Sequence, residues 1–444
     1  MNHASAFRQL TDLFVSPREL SVNFLRHLLS ATLALLVCVG VPARDAHAQK
    51  IEVWTFIGPG EANTREQTIA HVLKSFKQEN PGIEVAVQVM PWQQLSPMLL
   101  RAAKAGQVPD VAMLYSPSMP AHIAAGTLLP LQPFLARQSA EMRSDLVKLP
   151  ETVDKRGTTF GMPWDMRVAG LVYREDLLTA AKRRPPQTLQ ELADTAAALS
   201  SPDIAGLALG FGQNAPSTAA GWFLATLLGS GVPVLDTNGK AVFATPAAER
   251  VVQWVRDVVK KGSLPQSVAL QGLESTEQLF IARKAAFVAT STVKFKMLAD
   301  QSRLGENVKI IAHPGWNAGQ PVPALVQSWS LVIPKGARQP EAAWKLIEHW
   351  TSTAVQIDAA KIGGYIPVRA SALKDPWFSQ PKAEMIRWAV DHAQKHPLVF
   401  AFPENTDALF DTWARMFGQV LTDRMSPSEA LKWAEAEYNR RGSR

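Results

Sequence analysis

The strongest constraint on this chain is a strict alternation of strand-like and helix-like segments that begins at Ile51. Ile51–Phe56 reads as a buried strand and is followed by the Gly58–Gly60 turn. Asn63 then caps a helix, and Glu66 three residues on completes a capping-box pattern. Ile69, Val72, Leu73 and Phe76 give that helix one apolar face, and Asn80-Pro81-Gly82 ends it. Ile83, Val85, Val87 and Val89 alternate as a half-buried strand. A second amphipathic helix carries Leu95, Met98, Leu99 and Ala102, and Val111–Tyr115 is a third, continuously apolar strand. This β-α-β-α-β order predicts a parallel sheet with helices on its faces.

The pattern then restarts. Leu171–Tyr173 is strand-like, and Thr188 with Glu191 opens a helix. Gly206–Phe211, Ala285–Ala289, Val308–Ala312 and Trp329–Ile333 read as further strands, with helices at Ala247–Val259, Glu341–Trp350 and Asp407–Leu421. A chain of 444 residues, 47% apolar and 19% charged, has material for more than one core. Two α/β units in one chain are therefore expected.

The first 48 residues read differently. Leu28–Val41 is an apolar run preceded by Arg26 and His27, shorter than the roughly twenty residues that span a bilayer. Ala46-His47-Ala48 has the small-x-small form of a secretory cleavage site, which places the mature start at Gln49 and the protein in the periplasm. The stretch before Arg26 is long for such a signal, so Val22 is an alternative start. Cys38 offers a lipoprotein alternative, opposed by Val37 where a small residue belongs. It is the single cysteine, so intrachain disulfides and thiolate metal cages are excluded.

Familiar catalytic signatures are absent. None of the nine histidines has H-E-x-x-H spacing, and neither G-x-S-x-G nor a G-x-x-x-x-G-K-[ST] loop occurs. Gly210-Phe211-Gly212-Gln213-Asn214-Ala215 imitates a dinucleotide fingerprint, but Pro216 disfavours helical geometry at Ala215, where the phosphate-binding helix should already run. Asp165 with Glu404 or Glu61 could be drawn as a glycosidase pair, although surface or ligand-binding roles suit them better. The net charge of +7 lacks basic runs, which fits tolerance of an anionic ligand and not nucleic-acid binding. The unusual count is 13 Trp against 4 Tyr.

Several phrases occur in a telling order. Ile51-Glu52-Val53-Trp54 is followed by Phe76–Val85 in the form F-x-x-x-x-P-G-I-x-V, and by Gly106-Gln107-Val108-Pro109-Asp110-Val111. Ala125–Leu131, then Gly161-Met162-Pro163-Trp164-Asp165 leading to Leu171–Leu177, come next. Phe280–Val288, with Arg283 in place of a usual glycine, Ser330–Lys335 with Pro340–Trp344, and Gly364–Arg369 complete the series. In this order the chain resembles the family-1 extracellular solute-binding proteins of ABC importers, the group that contains the maltose- and oligosaccharide-binding proteins. The resemblance implies a two-lobe α/β periplasmic binding protein fold, type II-like, hinged around a ligand cleft. It implies a first lobe of 49–163 and 308–355 and a second of 164–307 and 356–444. It also implies a monomer that hands a small molecule to ABC permease subunits, with no cofactor, metal or chemistry of its own.

Ligand contacts are expected on loops that leave strand ends. Phe56 and Glu61 follow the first strand, and Tyr115, Ser116 and Ser118 the third. Trp164, Asp165 and Arg167 lie at the expected inter-lobe crossing, where the family pattern places a polar contact at or beside Arg167. Trp222, Thr292, Trp329, Tyr365 and Arg369 complete the candidates, whereas Trp254, Trp344, Trp350, Trp388 and Trp433 lie on helices and are assigned to packing. Sugar rings present C–H faces that pack on indole, and their hydroxyls need paired donors and acceptors. Trp164 is the leading stacking candidate. A receptor for a sugar, oligosaccharide or polyol is the leading function. The runner-up is a receptor for an anionic solute such as a glycerol phosphate ester, favoured by Arg167 with Arg369; an exported glycan-active enzyme is the third.

Overall fold

The computed structural model describes residues 49–212 and 216–442. The export segment with Cys38 and Ala48, and Gln213–Ala215 of the glycine-rich look-alike, lie outside the described residues. The chain opens with β1 (Gln49–Thr55), α1 (Thr64–Glu79), β2 (Ile83–Val89), α2 (Trp92–Ala105) and β3 (Val111–Tyr115). The Asn63 side chain accepts from the Arg65 and Glu66 backbone N–H groups, and Glu66 reaches back to the Ala62 N–H at 3.2 Å. β1 pairs in parallel with β2 and β3, with Val53 opposite Val87 and Val111. Ile51, Val53, Ile69, Val72 and Phe76 meet in the core, so the apolar spacing seen in α1 faces the sheet.

The later elements are β4 (Met162–Pro163), β5 (Arg167–Arg174), α3 (Leu189–Leu199), β6 (Ala205–Ala208), α4 (Pro216–Gly229), α5 (Pro246–Lys260) and α6 (Leu273–Ile281). They continue with β7 (Ala285–Ser291), α7 (Thr292–Ser302), β8 (Val308–Ile311), β9 (Ala324–Gln327) and β10 (Trp329–Val332). The chain ends with α8 (Pro340–Trp350), α9 (Thr353–Gly363), α10 (Glu384–Lys395), β11 (Pro397–Leu398), α11 (Thr406–Leu421) and α12 (Pro427–Gly442). Among the described residues one sheet has the order β2-β1-β3-β10-β4, and the other runs β11-β9-β5-β7-β6 with β8 also on β5. The second sheet carries its own core, in which Val172, Phe287 and Val288 pack with Val255, Trp413 and Phe417.

The chain returns to the first sheet later than the expected residue 308. β8 and β9 both pair with β5 of the second sheet, and only β10 joins β3, with Trp329 opposite Tyr115. The reversal therefore falls on Ser328, a single residue between β9 and β10. Its backbone exchanges hydrogen bonds with Ser116, the Ser116 N–H donating to the Ser328 carbonyl at 2.9 Å. The second expected boundary, at 356, moves as well. α9 packs on α1, where His71 Nε2 lies 2.9 Å from Asp358 Oδ2, and Tyr365 still belongs to the first core. Gly364 ends α9 at a φ of 72°, a left-handed conformation that glycine adopts without strain and that turns the chain toward Tyr365.

Three chain crossings between the sheets lie side by side. The Trp164 N–H donates to the Trp329 carbonyl at 3.1 Å, and the Met166 N–H to the Ile366 carbonyl at 3.1 Å. Gln356 links the middle crossing to the last, donating to the Trp164 carbonyl at 3.0 Å and accepting from the Val368 N–H at 2.9 Å.

Acid should weaken the first core. His122 is fully buried, with Nδ1 3.0 Å from Thr127 Oγ1 and Nε2 3.1 Å from Ser96 Oγ, and burial pushes its pKa down to about 4. Above an ordinary unfolded value near 6.5 the ring is neutral in both states, and its contribution is fully present. As pH falls from 6.5 toward 4 only the unfolded chain binds the proton, and that stability is lost. Urea midpoints measured at pH 7, 5 and 4 should fall less steeply for His122→Asn than for the parent. Parallel slopes would show that His122 does not carry the effect.

Candidate functional site

β3 ends at Tyr115 beside Trp329, where the antiparallel β10 begins, and these two rings begin the site. Tyr115 and Trp329 lie 5.4 Å apart between ring centroids, and Phe56, just beyond β1, stacks on the other side of Trp329 at 4.0 Å. Below Tyr115 and Trp329 opens a cavity of about 350 Å³, also lined by Trp92, Leu95, Ser96 and Ser118. Asp407 and Phe410, on the first two turns of α11, close it from the second sheet's side. The position follows the rule for α/β sheets that a ligand crevice forms beyond the carboxyl ends of strands.

Two contacts join the walls. Trp92 Nε1 donates to Glu274 on α6 at 2.7 Å, and Ser118 Oγ donates to Asp407 at 3.4 Å. Burial holds the Asp407 carboxyl above its ordinary range, with the Ser118 bond opposing. Burial also raises Glu151, against its hydrogen bond to Ser116. The Tyr115 hydroxyl is pushed well up by burial, with Arg167 opposing and Asp165 and Glu151 adding to the rise.

Asp165 is the hub of the crossings. It is completely buried, accepts from the Trp329 N–H at 2.7 Å through Oδ1 and pairs with Arg167 through Oδ2. The strand that must turn from one sheet into the other leaves an N–H without a ladder partner, and the carboxylate supplies one. The pair thus ties the aromatic row to β5.

The other expected contacts divide. Ser116 is buried behind Tyr115, accepting from the Ser328 N–H at 3.2 Å. Glu61 is exposed in the turn before α1, and its backbone carbonyl accepts from Gln67. Trp164 does not present a face to the cavity. It has no exposed surface and is enclosed by Trp350 at 5.8 Å and Tyr365 at 4.9 Å, because its N–H and carbonyl are both held in the crossings. The Tyr365 ring shares that enclosure, while its hydroxyl lies beside Arg65 and Arg167. Trp222 packs in the second core between Phe211 and Trp254, at 6.0 and 5.8 Å. Thr292 is buried and uses its hydroxyl to accept from the Val168 N–H at 3.2 Å. Arg369 is also spent on structure, donating to the Met142 carbonyl at 2.7 Å and to the Thr351 carbonyl. For Trp164, Trp222, Thr292 and Arg369 the expected ligand contact is therefore replaced by internal packing or backbone support.

Trp92, Asp407 and Phe410 line the cavity without having been among the expected contacts. Trp92 could have been found, because it follows β2 on the same sheet edge as Phe56 and Tyr115. Nothing local marks Asp407, whose place depends on how α11 docks.

The profile of the bacterial extracellular solute-binding protein family matches residues 71–385. The chain belongs to this family. A protein of Deinococcus radiodurans assigned as an ABC transporter-binding protein is 23% identical over 320 residues, which is 68% of this chain and 73% of that one. A binding protein of Brucella abortus is 22% identical over 311 residues, 69% of this chain and 74% of its own. Among solved structures, the GacH receptor of Streptomyces glaucescens, studied unliganded and with acarbose, aligns with a TM-score of 0.76 at 22% identity over 88% of this chain and 98% of its own. Maltose-bound MalE3 of T. maritima aligns at 0.77 and 24% identity, covering 88% and 99%. An ABC transporter solute-binding protein of Agrobacterium radiobacter in complex with ribitol aligns at 0.77 and 20% identity, covering 89% and 99%. These likenesses establish the two-lobe fold.

In this solute-binding protein the Trp92–Glu274 bond clasps the two sides of the cavity. Trp92→Phe keeps a ring but removes the donor, a loss of about 1 kcal/mol for an accessible bond to a charged acceptor. The radius of gyration of the ligand-free protein in small-angle scattering should rise. An unchanged scattering curve would deny the bond a part in closure.

Proposed function

We propose that this protein is the periplasmic receptor of an ABC importer and captures a sugar, oligosaccharide or polyol in the cavity between its two lobes. The observation that carries this reading is the row Phe56, Trp329 and Tyr115 above a cavity that also presents Ser118 and, from the opposite wall, Asp407. Flat rings suit the C–H faces of a sugar, while the hydroxyl and carboxylate suit its O–H groups. Relatives of the same fold crystallised with acarbose, maltose and ribitol support the substrate class. The cargo leaves unaltered for the membrane permease, and residues 1–48 direct export with cleavage after Ala48.

A thermal-shift screen of mono-, di- and oligosaccharides and polyols tests the reading. A ligand held only by the folded state raises the melting temperature, by about 2.7 kcal/mol of added stability at a hundredfold excess over Kd. The bound compound should be recovered chemically unchanged. Recovery of a cleaved product would turn the assignment toward a glycan-active enzyme, and no response across the screen would remove sugars and polyols as ligands.

A further inference from the structure

Where the chain crossings meet the aromatic row, four shielded donor atoms lack a partner with hydrogen-bond geometry, Nε of the half-buried Arg65 and Arg167, Nε2 of the half-buried Gln327 and the hydroxyl of the buried Tyr365. They belong together. Arg65, Arg167 and Asp165 all act on the Tyr365 hydroxyl, and Gln327 stands opposite Arg167 in the β5–β9 pairing. Arg65 also lies over the Phe56 ring, 5.5 Å from its centroid, and Phe56 stacks on Trp329 at the cavity. Enclosed donors are rarely left unmatched, because their lost hydration is not replaced. Four in one place mark the position of a missing acceptor.

The charges agree. Asp165 engages Arg167, and Glu277 engages Lys294 at 2.7 Å on the neighbouring α7. Arg65 has no carboxylate within ion-pair distance among the described residues. The carboxylates of Asp407 and Glu151 lie toward the Ser118 and Ser116 end instead. One end of the site offers a guanidinium without a counter-ion, and the other offers acceptors for hydroxyls.

We propose that the solute is a polyhydroxylated molecule bearing an anionic group, a carboxylate or a phosphate, and that Arg65 receives this group together with Arg167, Gln327 and Tyr365. The inference rests on the receptor reading of the cavity and narrows it. A planar guanidinium matches either anion through two parallel N–H bonds. The partial burial of these donors strengthens their pull on a charge.

Calorimetric titration of the purified protein with matched pairs tests it: D-glucose and D-glucuronate, D-glucitol and D-gluconate, glycerol and glycerol 3-phosphate. At least one acidic member should bind tenfold or more tightly than its neutral partner, and the responding pair tells carboxylate from phosphate. Arg65→Gln should remove that preference and Arg65→Lys should keep part of it. Arg137→Gln, which alters an exposed ion pair with Glu341 and a contact over the Phe134 ring, neither of them lining the cavity, should leave it intact. A neutral member bound as tightly as its acidic partner, or a preference that survives Arg65→Gln, overturns the proposal. Silence of all three pairs while a neutral sugar binds in the wider screen overturns it too and leaves the receptor reading standing.

Discussion

Asp165→Ala should lower the unfolding free energy by about 3–5 kcal/mol, the range for removing one partner of a buried ion pair. The loss has two parts. Arg167, with its side chain only 13% exposed, keeps its charge without the carboxylate that offsets it. The Trp329 N–H, at the reversal between the sheets, loses its 2.7 Å acceptor. The double variant Asp165→Ala with Arg167→Leu should recover part of the deficit, because it no longer leaves a buried cation alone, while the stranded N–H remains. Urea unfolding of the three variants beside the parent gives the comparison. A deficit below about 1 kcal/mol in the single variant, or no recovery in the double, would show that the pair does not hold the crossings.

Trp329→Ala should have the largest effect on binding. The indole sits between Phe56 and Tyr115 and lines the cavity, so truncation removes an anchor of the type whose loss costs 2 kcal/mol or more, about thirtyfold in Kd. It also opens a hole in the first core, a further loss of about 3–5 kcal/mol in stability. Trp329→Phe separates the two effects, since it keeps a ring in the stack and sacrifices less volume. Trp164→Phe is the contrast: its site is sealed from the cavity, so stability should fall while affinity for any ligand found by thermal shift stays within about threefold. Equal affinity losses for Trp164→Phe and Trp329→Phe would contradict this division of roles.

The contrast between the two tryptophans shows what could be read from the chain. Both follow or open strands at the expected crossing, both are flanked by polar residues, and their local sequences favour neither role. Trp164 is taken inward because its N–H and carbonyl are fixed by Trp329 and Gln356, which turns the ring between Trp350 and Tyr365. Trp329 keeps a face toward the cavity because Tyr115, its partner across the sheet, ends on the same edge. Arg369 and Arg65 make a similar pair. Arg369 was expected at the ligand and serves carbonyls, while Arg65, in the first turn of α1 and not among the candidates, lies over Phe56.

The sequence by itself determined the elements and their class. Spacing of apolar residues, the Asn63 and Thr188 caps and the order of family phrases are local properties, set by backbone geometry within a few residues. The tertiary structure alone decided that the return to the first sheet occurs at Ser328, that α9 stays with α1, and that Asp407 meets Tyr115 and Trp329. Those outcomes depend on which strand supplies the last unpaired edge and on how distant helices bury their faces, and such contacts leave no periodic trace in the order of residues.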